Sequence, residues 1–181
     1  SVEQRAVTRL VRGANYVALG PAEVLLQYAP VSFDASTFEV WGALLNGAKL
    51  VVIRAGEVTL RELGRTITQR GVTTLFLTSA LFHQMVDEEV SSLAGVRQLI
   101  AGGDVLSPGH VNKVLQLQTE GAVINGYGPT ENTTFSACEV MSGKSVEGRG
   151  VPIGLPISNS TAYVLNERME PVPVGVRAEL Y

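Results

Sequence analysis

Short apolar runs alternate with amphipathic stretches along most of the chain. Residues 23–28 read as a first strand. Residues 36–46 read as a helix, with Ser36 and Glu39 at capping-box spacing and Gly47 just past its end. Residues 49–53 form a second strand. Thr59 and Glu62 make another capping box, opening a helix that Gly71 closes. Residues 72–77 are a third strand, and 80–89 an amphipathic helix with Leu81, Met85 and Val86 on one face. Residues 96–101 are a fourth strand. Ser107 caps a helix with Pro108 at its first position, running to about residue 118. Residues 122–125 are a fifth strand, and residues 3–13 an opening helix.

This alternation predicts an α/β fold, a parallel sheet with helices on both faces. After Asn125 the pattern changes. Residues 133–141, 161–165 and 176–181 look like strands with no helices between them. The Gly- and Pro-rich stretch 142–156 predicts a long connection. The division expected is residues 1–141 as the α/β unit and 142–181 as a loop plus the start of a β-rich unit. The last apolar run, VRAELY, has no turn or polar tail, which suggests a piece of a larger protein.

Composition narrows the classes. The 181 residues correspond to roughly one domain at about 150 residues per domain. With 45% hydrophobic and 17% charged residues the chain is not a disordered type. No apolar run approaches the ~20 residues of a membrane span. The net charge of −3 and dispersed basic residues argue against nucleic acid or an anionic membrane as partner. Cys138 is the single cysteine, so neither an internal disulfide nor a Cys-rich metal site is expected. The stretch SVEQRAVTRL is charged and amphipathic, unlike a signal peptide, and a cytoplasmic location is expected.

In an open parallel sheet, ligands bind beyond the carboxyl ends of the strands. Phe33, Asp34, Ala35 and Ser36 follow the first strand, Phe76 ends the third, and Gly102, Gly103 and Asp104 follow the fourth. NGYGPTE, residues 125–131, follows the fifth. There Gly126 and Gly128 leave room, and Tyr127 offers a flat face to a base. Asn125 offers a donor and an acceptor suited to an adenine edge. Thr130 offers a hydroxyl to phosphate, and Glu131 hard oxygens to Mg²⁺. The same residues also fit a Gly-Pro turn with a buried tyrosine, and Asp34 also fits a plain helix N-cap. His83 and His110, without a matching carboxylate or cysteine, read as surface or capping histidines. Cys138 reads as a buried free thiol. Trp41, at helical spacing from Phe38 and Leu44, reads as core.

NGYGPTE followed by NTTF resembles the adenine-binding motif of adenylate-forming enzymes, and more closely that of adenylation domains of nonribosomal peptide synthetases. VSFDASTFEVWGALLNGAKLVV, LIAGGDVLSPGHV and VPIGLPISNSTAYVL are similar to that family's consecutive blocks, so the resemblance covers essentially the whole chain. It implies a flavodoxin-like architecture. It implies that Asn125 contacts the adenine amino group, Tyr127 stacks on the ring, Thr130 touches the α-phosphate and Glu131 helps hold Mg²⁺. Gly102 and Gly103 would border nucleotide and substrate. Asp34 would pair with the α-ammonium of an amino acid.

By matching position, the side-chain pocket would be lined by Asp34, Ala35, Phe38, Phe76, Ile100, Gly102, Gly126, Thr134 and Phe135. Its walls are apolar, and Asp34 is the one charge among them. A charged substrate side chain would lose hydration with no partner. The set is similar to those of family members that activate valine, with isoleucine next; one methylene, worth ~1–3 kcal/mol, separates the two. The implied cofactors are ATP and Mg²⁺, with phosphopantetheine on a partner carrier domain. The implied partners are that domain and the remaining adenylation-domain segments.

Three departures accompany the resemblance. The family's phosphate loop with its lysine is expected before Ser1. The ribose-binding aspartate and the subdomain with the catalytic lysine are expected after Tyr181. The closing Gly-Glu-Leu block reads Ala178-Glu179-Leu180. The expectation is therefore a middle subdomain, nearly inactive alone. Two alternatives stand beside it. One is an acyl-CoA or aryl-acid ligase fragment of the same superfamily, against which Asp34 argues; the other is a non-catalytic α/β binding module.

Overall fold

The computed structural model describes residues 2–53, 58–118, 120–143, 145–148 and 150–181. Its helices are α1 (Gln4–Val11), α2 (Ala35–Leu44), α3 (Leu60–Arg70), α4 (Ser79–Glu88) and α5 (Pro108–Leu117). Its first five strands are β1 (Val24–Gln27), β2 (Lys49–Val52), β3 (Thr74–Thr78), β4 (Gln98–Gly102) and β5 (Ala122–Tyr127). Then come β6 (Ala137–Met141), β7 (Leu155–Pro156), β8 (Val164–Leu165) and β9 (Glu179–Leu180).

β1 to β7 make one seven-stranded sheet in the order β2-β1-β3-β4-β5-β6-β7. The first five strands pair in parallel, and β6 and β7 pair antiparallel. The order 2-1-3-4-5 is that of flavodoxin-like sheets, whose connections switch faces between β1 and β3. β8 and β9 form a separate antiparallel pair.

Alternating residues of each parallel strand feed two cores. Leu26, Leu75, Leu77, Leu99, Ala101 and Val123 pack with Leu63 and Ile67 of α3, Phe82 and Met85 of α4, and Val111 and Val114 of α5. Their neighbours Leu25, Phe76, Ile100 and Ile124 face the other way, toward Leu10 and Val11 of α1 and Phe38 and Ala43 of α2. Burial on both faces is why these strands read as nearly continuous apolar runs.

The helix ends obey local chemistry in places. Thr59 and Glu62 form the reciprocal capping box, and Gly71 closes α3 at φ +63. Pro108 opens α5 as expected, but the Ser107 hydroxyl makes no cap hydrogen bond. The Ser36–Glu39 capping box does not form. α2 begins at Ala35 behind Asp34, and the Ser36 hydroxyl donates to the Val31 carbonyl. Glu39 instead reaches the backbone N–H groups of Tyr28 and Ala29. Trp41 is not core: it is 43% exposed, because the buried stripe of α2 runs through Phe38, Glu39, Gly42 and Ala43.

The late strands are shorter than expected. β6 starts only at Ala137, since Thr133 and Thr134 have left-handed φ values of 58° and 67°. β8 and β9 cover two residues each. Lys144 and Arg149, within the expected connection 142–156, lie outside the described residues. Leu155–Pro156 joins the main sheet through β6. Among the described residues no helix is long and apolar enough to cross a membrane.

Candidate active site

Phe76 and Ile100 sit mid-strand in β3 and β4 and Phe38 within α2, while Asp34, Gly102, Gly103 and residues 125–131 lie at or beyond the carboxyl ends of β1, β4 and β5. Two segments meet there. The first joins β1 to α2. Phe33 N–H donates to Pro30 O, and Thr37 N–H to Asp34 O, so the chain is already turning helically at Asp34. Asp34 stands at the N-cap in helical backbone geometry, which leaves its side chain free of capping. Asp34 thus takes the N-cap position the sequence also allowed, but without a capping hydrogen bond from its side chain.

The second segment follows β5. Gly128 and Pro129 leave the sheet, Thr130–Asn132 form one turn of 3₁₀ helix, and the left-handed pair Thr133–Thr134 sends the chain back into β6. Ser136 N–H donates to Tyr127 O at 2.8 Å, closing the loop on the rung where Tyr127 faces Ala137. This loop touches the first segment twice. The Thr130 hydroxyl donates to Asp34 Oδ2 at 2.8 Å, and the Thr134 hydroxyl donates to Asp34 O at 3.0 Å. Among the described residues the Asp34 carboxylate meets a hydroxyl and forms no ion pair.

Beneath Asp34 lies an apolar cluster. Ala35, Phe38, Phe76, Ile100 and Phe135 are all buried and belong to one core. Phe76 faces Ile100 across β3 and β4, and Ile100 faces Ile124 across β4 and β5. The Phe135 ring sits 5.8 Å from Phe38, 5.8 Å from Tyr16 and 5.9 Å from Phe76. Tyr16, which sequence reasoning passed over, anchors this cluster by donating its hydroxyl to Leu10 O at 2.7 Å.

The glycines divide by what stands next to them. Gly102 and Gly126 face each other across β4 and β5. A Cβ on Gly102 would lie 2.1 Å from the Gly126 carbonyl oxygen, and one on Gly126 would lie 2.6 Å from the Phe135 ring. A Cβ on Gly128 would meet Ser136 N at 2.6 Å. The room expected at Gly126 and Gly128 is thus filled by protein. Gly103 is different, with φ +88 and open space beside it. Its loop is held from α4: the Ser79 hydroxyl lies 3.0 Å from Gly102 O and 2.6 Å from Asp104 O.

Asn125 is buried and its side-chain amide donates to Pro152 O at 2.7 Å. Tyr127, at the strand end, is 43% exposed. Glu131 is exposed on the 3₁₀ turn. Among the described residues there is no group of three or more metal-binding side chains. Glu131 is an exposed carboxylate that could supply one ligand to a Mg²⁺ completed by phosphates and water.

Glu39 and Cys138 are both buried ionisable groups. Burial pushes the Glu39 carboxyl up to about 8, against the pull of the Ala29 and Tyr28 N–H groups. Burial also pushes the Cys138 thiol up to about 12, and Cys138 is the expected buried free thiol. The histidines differ from expectation in one respect. His110 does find a carboxylate, with Nε2 3.1 Å from Asp87 Oδ2. His83 caps the loop before α5 by accepting from Ser107 N–H at 3.1 Å.

Sequence reasoning also missed Arg9 of α1. It donates to Ser160 Oγ at 2.5 Å and to the carbonyls of Asn132 at 2.5 Å and Phe135 at 3.2 Å. One arginine among several on a charged helix face gives no sequence signal of such a role.

Known proteins are similar to this chain in sequence and fold. The family model described as AMP-binding enzyme matches residues 2–181. Tyrocidine synthase 3 of Brevibacillus parabrevis is 43% identical over 181 residues, covering 99% of this chain and 3% of that protein. Gramicidin S synthase 2 of Brevibacillus brevis is 42% identical over 180 residues, covering 99% of this chain and 4% of that protein. Holo-PA1221, an NRPS protein containing adenylation and PCP domains bound to a vinylsulfonamide inhibitor, superposes with a TM-score of 0.90 at 39% identity. The match covers 97% of this chain and 31% of that one. The N-terminal subdomain of Klebsiella oxytoca NpsA, in complex with 3-hydroxybenzoyl-AMSN, superposes with a TM-score of 0.88 at 32% identity, covering 97% and 45%. The chain thus spans a few per cent of the curated synthetases it matches and under half of these two solved chains. With residues 2–181 matched by the family model and 97% of the chain matched in fold, the chain belongs to the AMP-binding enzyme family, as a segment of an adenylation domain of the nonribosomal peptide synthetase type.

Proposed function

We propose that this segment selects the amino acid in an adenylation domain that activates an aliphatic substrate, valine first and isoleucine next. The parent reaction joins the amino-acid carboxylate to the α-phosphorus of ATP and releases pyrophosphate. The aminoacyl group then passes to a phosphopantetheine thiol on a carrier domain. The observation that carries the reading is Asp34: a carboxylate with a hydroxyl neighbour and, among the described residues, no ion pair, next in sequence to Ala35 of an apolar cluster. An α-ammonium supplies the missing opposite charge, and a charge-assisted hydrogen bond there is stronger than a neutral one.

The other residues take consistent roles. Ala35, Phe38, Phe76, Ile100, Thr134 and Phe135 surround the side chain, with Gly102 and Gly126 beneath it. The exposed Tyr127 ring stacks on the adenine, and Gly103 leaves backbone room beside the nucleotide. Asn125 marks the adenine edge. Thr130 lies between the ammonium and the α-phosphate, able to donate to either. Glu131 is the protein ligand to Mg²⁺, which when bound offsets the phosphate charge. This chain's own contribution is to bind, orient and exclude water, so its work is positioning and electrostatic complementarity. An aryl or acyl acid has no ammonium and would leave Asp34 unpaired, which disfavours that alternative.

The test is amino-acid-dependent ATP–pyrophosphate exchange by the adenylation domain that carries this segment, over a panel of amino acids and with Asp34→Ala. Truncating one partner of a desolvated charge pair costs about 2–5 kcal/mol, so kcat/KM falls by roughly 30-fold or more. Valine gives the highest exchange. Undiminished exchange by Asp34→Ala would overturn the ammonium assignment, and a preference for a charged or aryl substrate would overturn the substrate class.

A further inference from the structure

The turn that brings Thr130 and Thr134 to Asp34 is an unusual one. Thr133 and Thr134 are consecutive β-branched residues, both in the left-handed region. Such residues avoid that region, and a turn of this kind persists only where its surroundings fix it. Its internal bonds are short-range: Asn132 N–H to Pro129 O, Thr133 N–H to Thr130 O and Phe135 N–H to Thr133 O. These close the turn on itself but do not fasten its outer side to the rest of the molecule.

Arg9 does so. Its Nη2 group lies 2.5 Å from Asn132 O, 3.2 Å from Phe135 O and, at longer range, 3.5 Å from Thr133 O. Its Nη1 group donates to Ser160 Oγ at 2.5 Å. Carbonyls from one turn therefore converge on a single cation, and the planar fork ties that turn to the 157–160 segment as well. A lysine ammonium lacks this forked geometry. The Thr130 and Thr134 hydroxyls of the same turn engage Asp34. We infer that Arg9 is a positioning residue for amino-acid activation: from α1 it holds the Asn132–Phe135 turn in the shape that keeps Thr130 and Thr134 on Asp34.

The inference rests on the proposed function for its effect on activity, and on geometry alone for its effect on the turn. Both are measured in the adenylation domain that carries this segment. Hydrogen–deuterium exchange of residues 130–136 reads the turn. ATP–pyrophosphate exchange, split into kcat and KM for each substrate, reads activity. Arg9→Ala is expected to speed deuterium uptake at 130–136 while leaving α3 and α5 as in the wild type. It should lower kcat by about 10- to 100-fold, the scale of a sub-ångström to 1 Å misplacement, with a smaller change in the KM for ATP. Millimolar guanidinium should restore part of that kcat and leave the wild type unchanged. Arg9→Lys should fall between the two.

Wild-type deuterium uptake at 130–136 in Arg9→Ala would overturn the inference. So would faster uptake spread evenly over the whole sheet. If Arg9→Ala does not fold, Arg9→Lys decides, and wild-type uptake and kcat in that variant overturn it. A wild-type domain with no amino-acid-dependent exchange would sink the proposed function instead, while the uptake measurement still judges Arg9.

Discussion

The facing glycines of β4 and β5 allow a sharp test of the packing under the candidate site. Replacing Gly126 with alanine places a Cβ 2.6 Å and 2.9 Å from two atoms of the Phe135 ring. Ordinary contact needs about 3.5–4.0 Å, so the ring edge must retreat by roughly 1 Å. It is hemmed in by Tyr16, Phe38 and Phe76 and cannot move without disturbing them. Overpacking of this kind costs about 1–3 kcal/mol. The lower entropy of the unfolded alanine chain offsets about 0.4–1 kcal/mol. A net loss of about 1–2 kcal/mol corresponds to about 2–8 °C in Tm for a chain of this size. Gly102→Ala is a different case. Its Cβ lies 2.1 Å from the Gly126 carbonyl oxygen, and backbone in mid-sheet can yield only by parting the two strands. The expected loss exceeds about 4 kcal/mol, in the rare tail of single substitutions. The assay is thermal and urea unfolding of both variants, each alone and with Phe135→Leu. Phe135→Leu should relieve Gly126→Ala, with a coupling of about 0.5–3 kcal/mol, and should do nothing for Gly102→Ala. Equal destabilisation by the two alanines, or strict additivity of Gly126→Ala with Phe135→Leu, would refute the reasoning.

Two further predictions concern buried ionisable groups. Glu39 holds its proton in the folded protein up to about pH 8, whereas the unfolded chain releases it near the ordinary 4.5. Between those values the folded state binds more protons, so stability falls as pH rises through the window. Melting curves from pH 5 to 9 should show that slope in the wild type and a flatter one in Glu39→Gln; parallel profiles would remove Glu39 as the cause. Cys138, with its thiol pushed up to about 12 and buried between β5 and β7, should resist a thiol reagent at pH 8 and react only as the protein unfolds. Fast stoichiometric labelling of the native protein would contradict that burial.

The parts of the fold that local chemistry decides were readable beforehand. Thr59, Glu62 and Gly71 bound α3 because their side chains or backbone freedom complete hydrogen bonds within a few residues. The parallel sheet followed from strands alternating with helices. Ser36 and Glu39 have the same spacing as Thr59 and Glu62, yet a tertiary partner prevailed: the N–H groups of Tyr28 and Ala29 compete for Glu39. Thr133 and Thr134 look like strand residues, and only the return of the chain against Asp34 and Arg9 gives their left-handed geometry a reason. β7 is a Leu-Pro pair too short to carry a periodic signal. For the candidate site, the rim position of Asp34, Gly103 and Tyr127 was legible, because strand ends mark it. That Gly126 is filled by Phe135 was not, since a glycine in a sequence does not say whether a ligand or a neighbouring ring occupies the space it leaves.

The loop after β5 leaves the sheet at Tyr127 and rejoins it at Ala137, directly opposite. Its exit and re-entry share one rung of the sheet, while Phe135, Thr130 and Thr134 tie its interior to the core and to Asp34. A loop exchanged between residues 127 and 137 leaves Arg9 behind in the recipient, so the incoming chain must still turn its carbonyls toward that fixed cation.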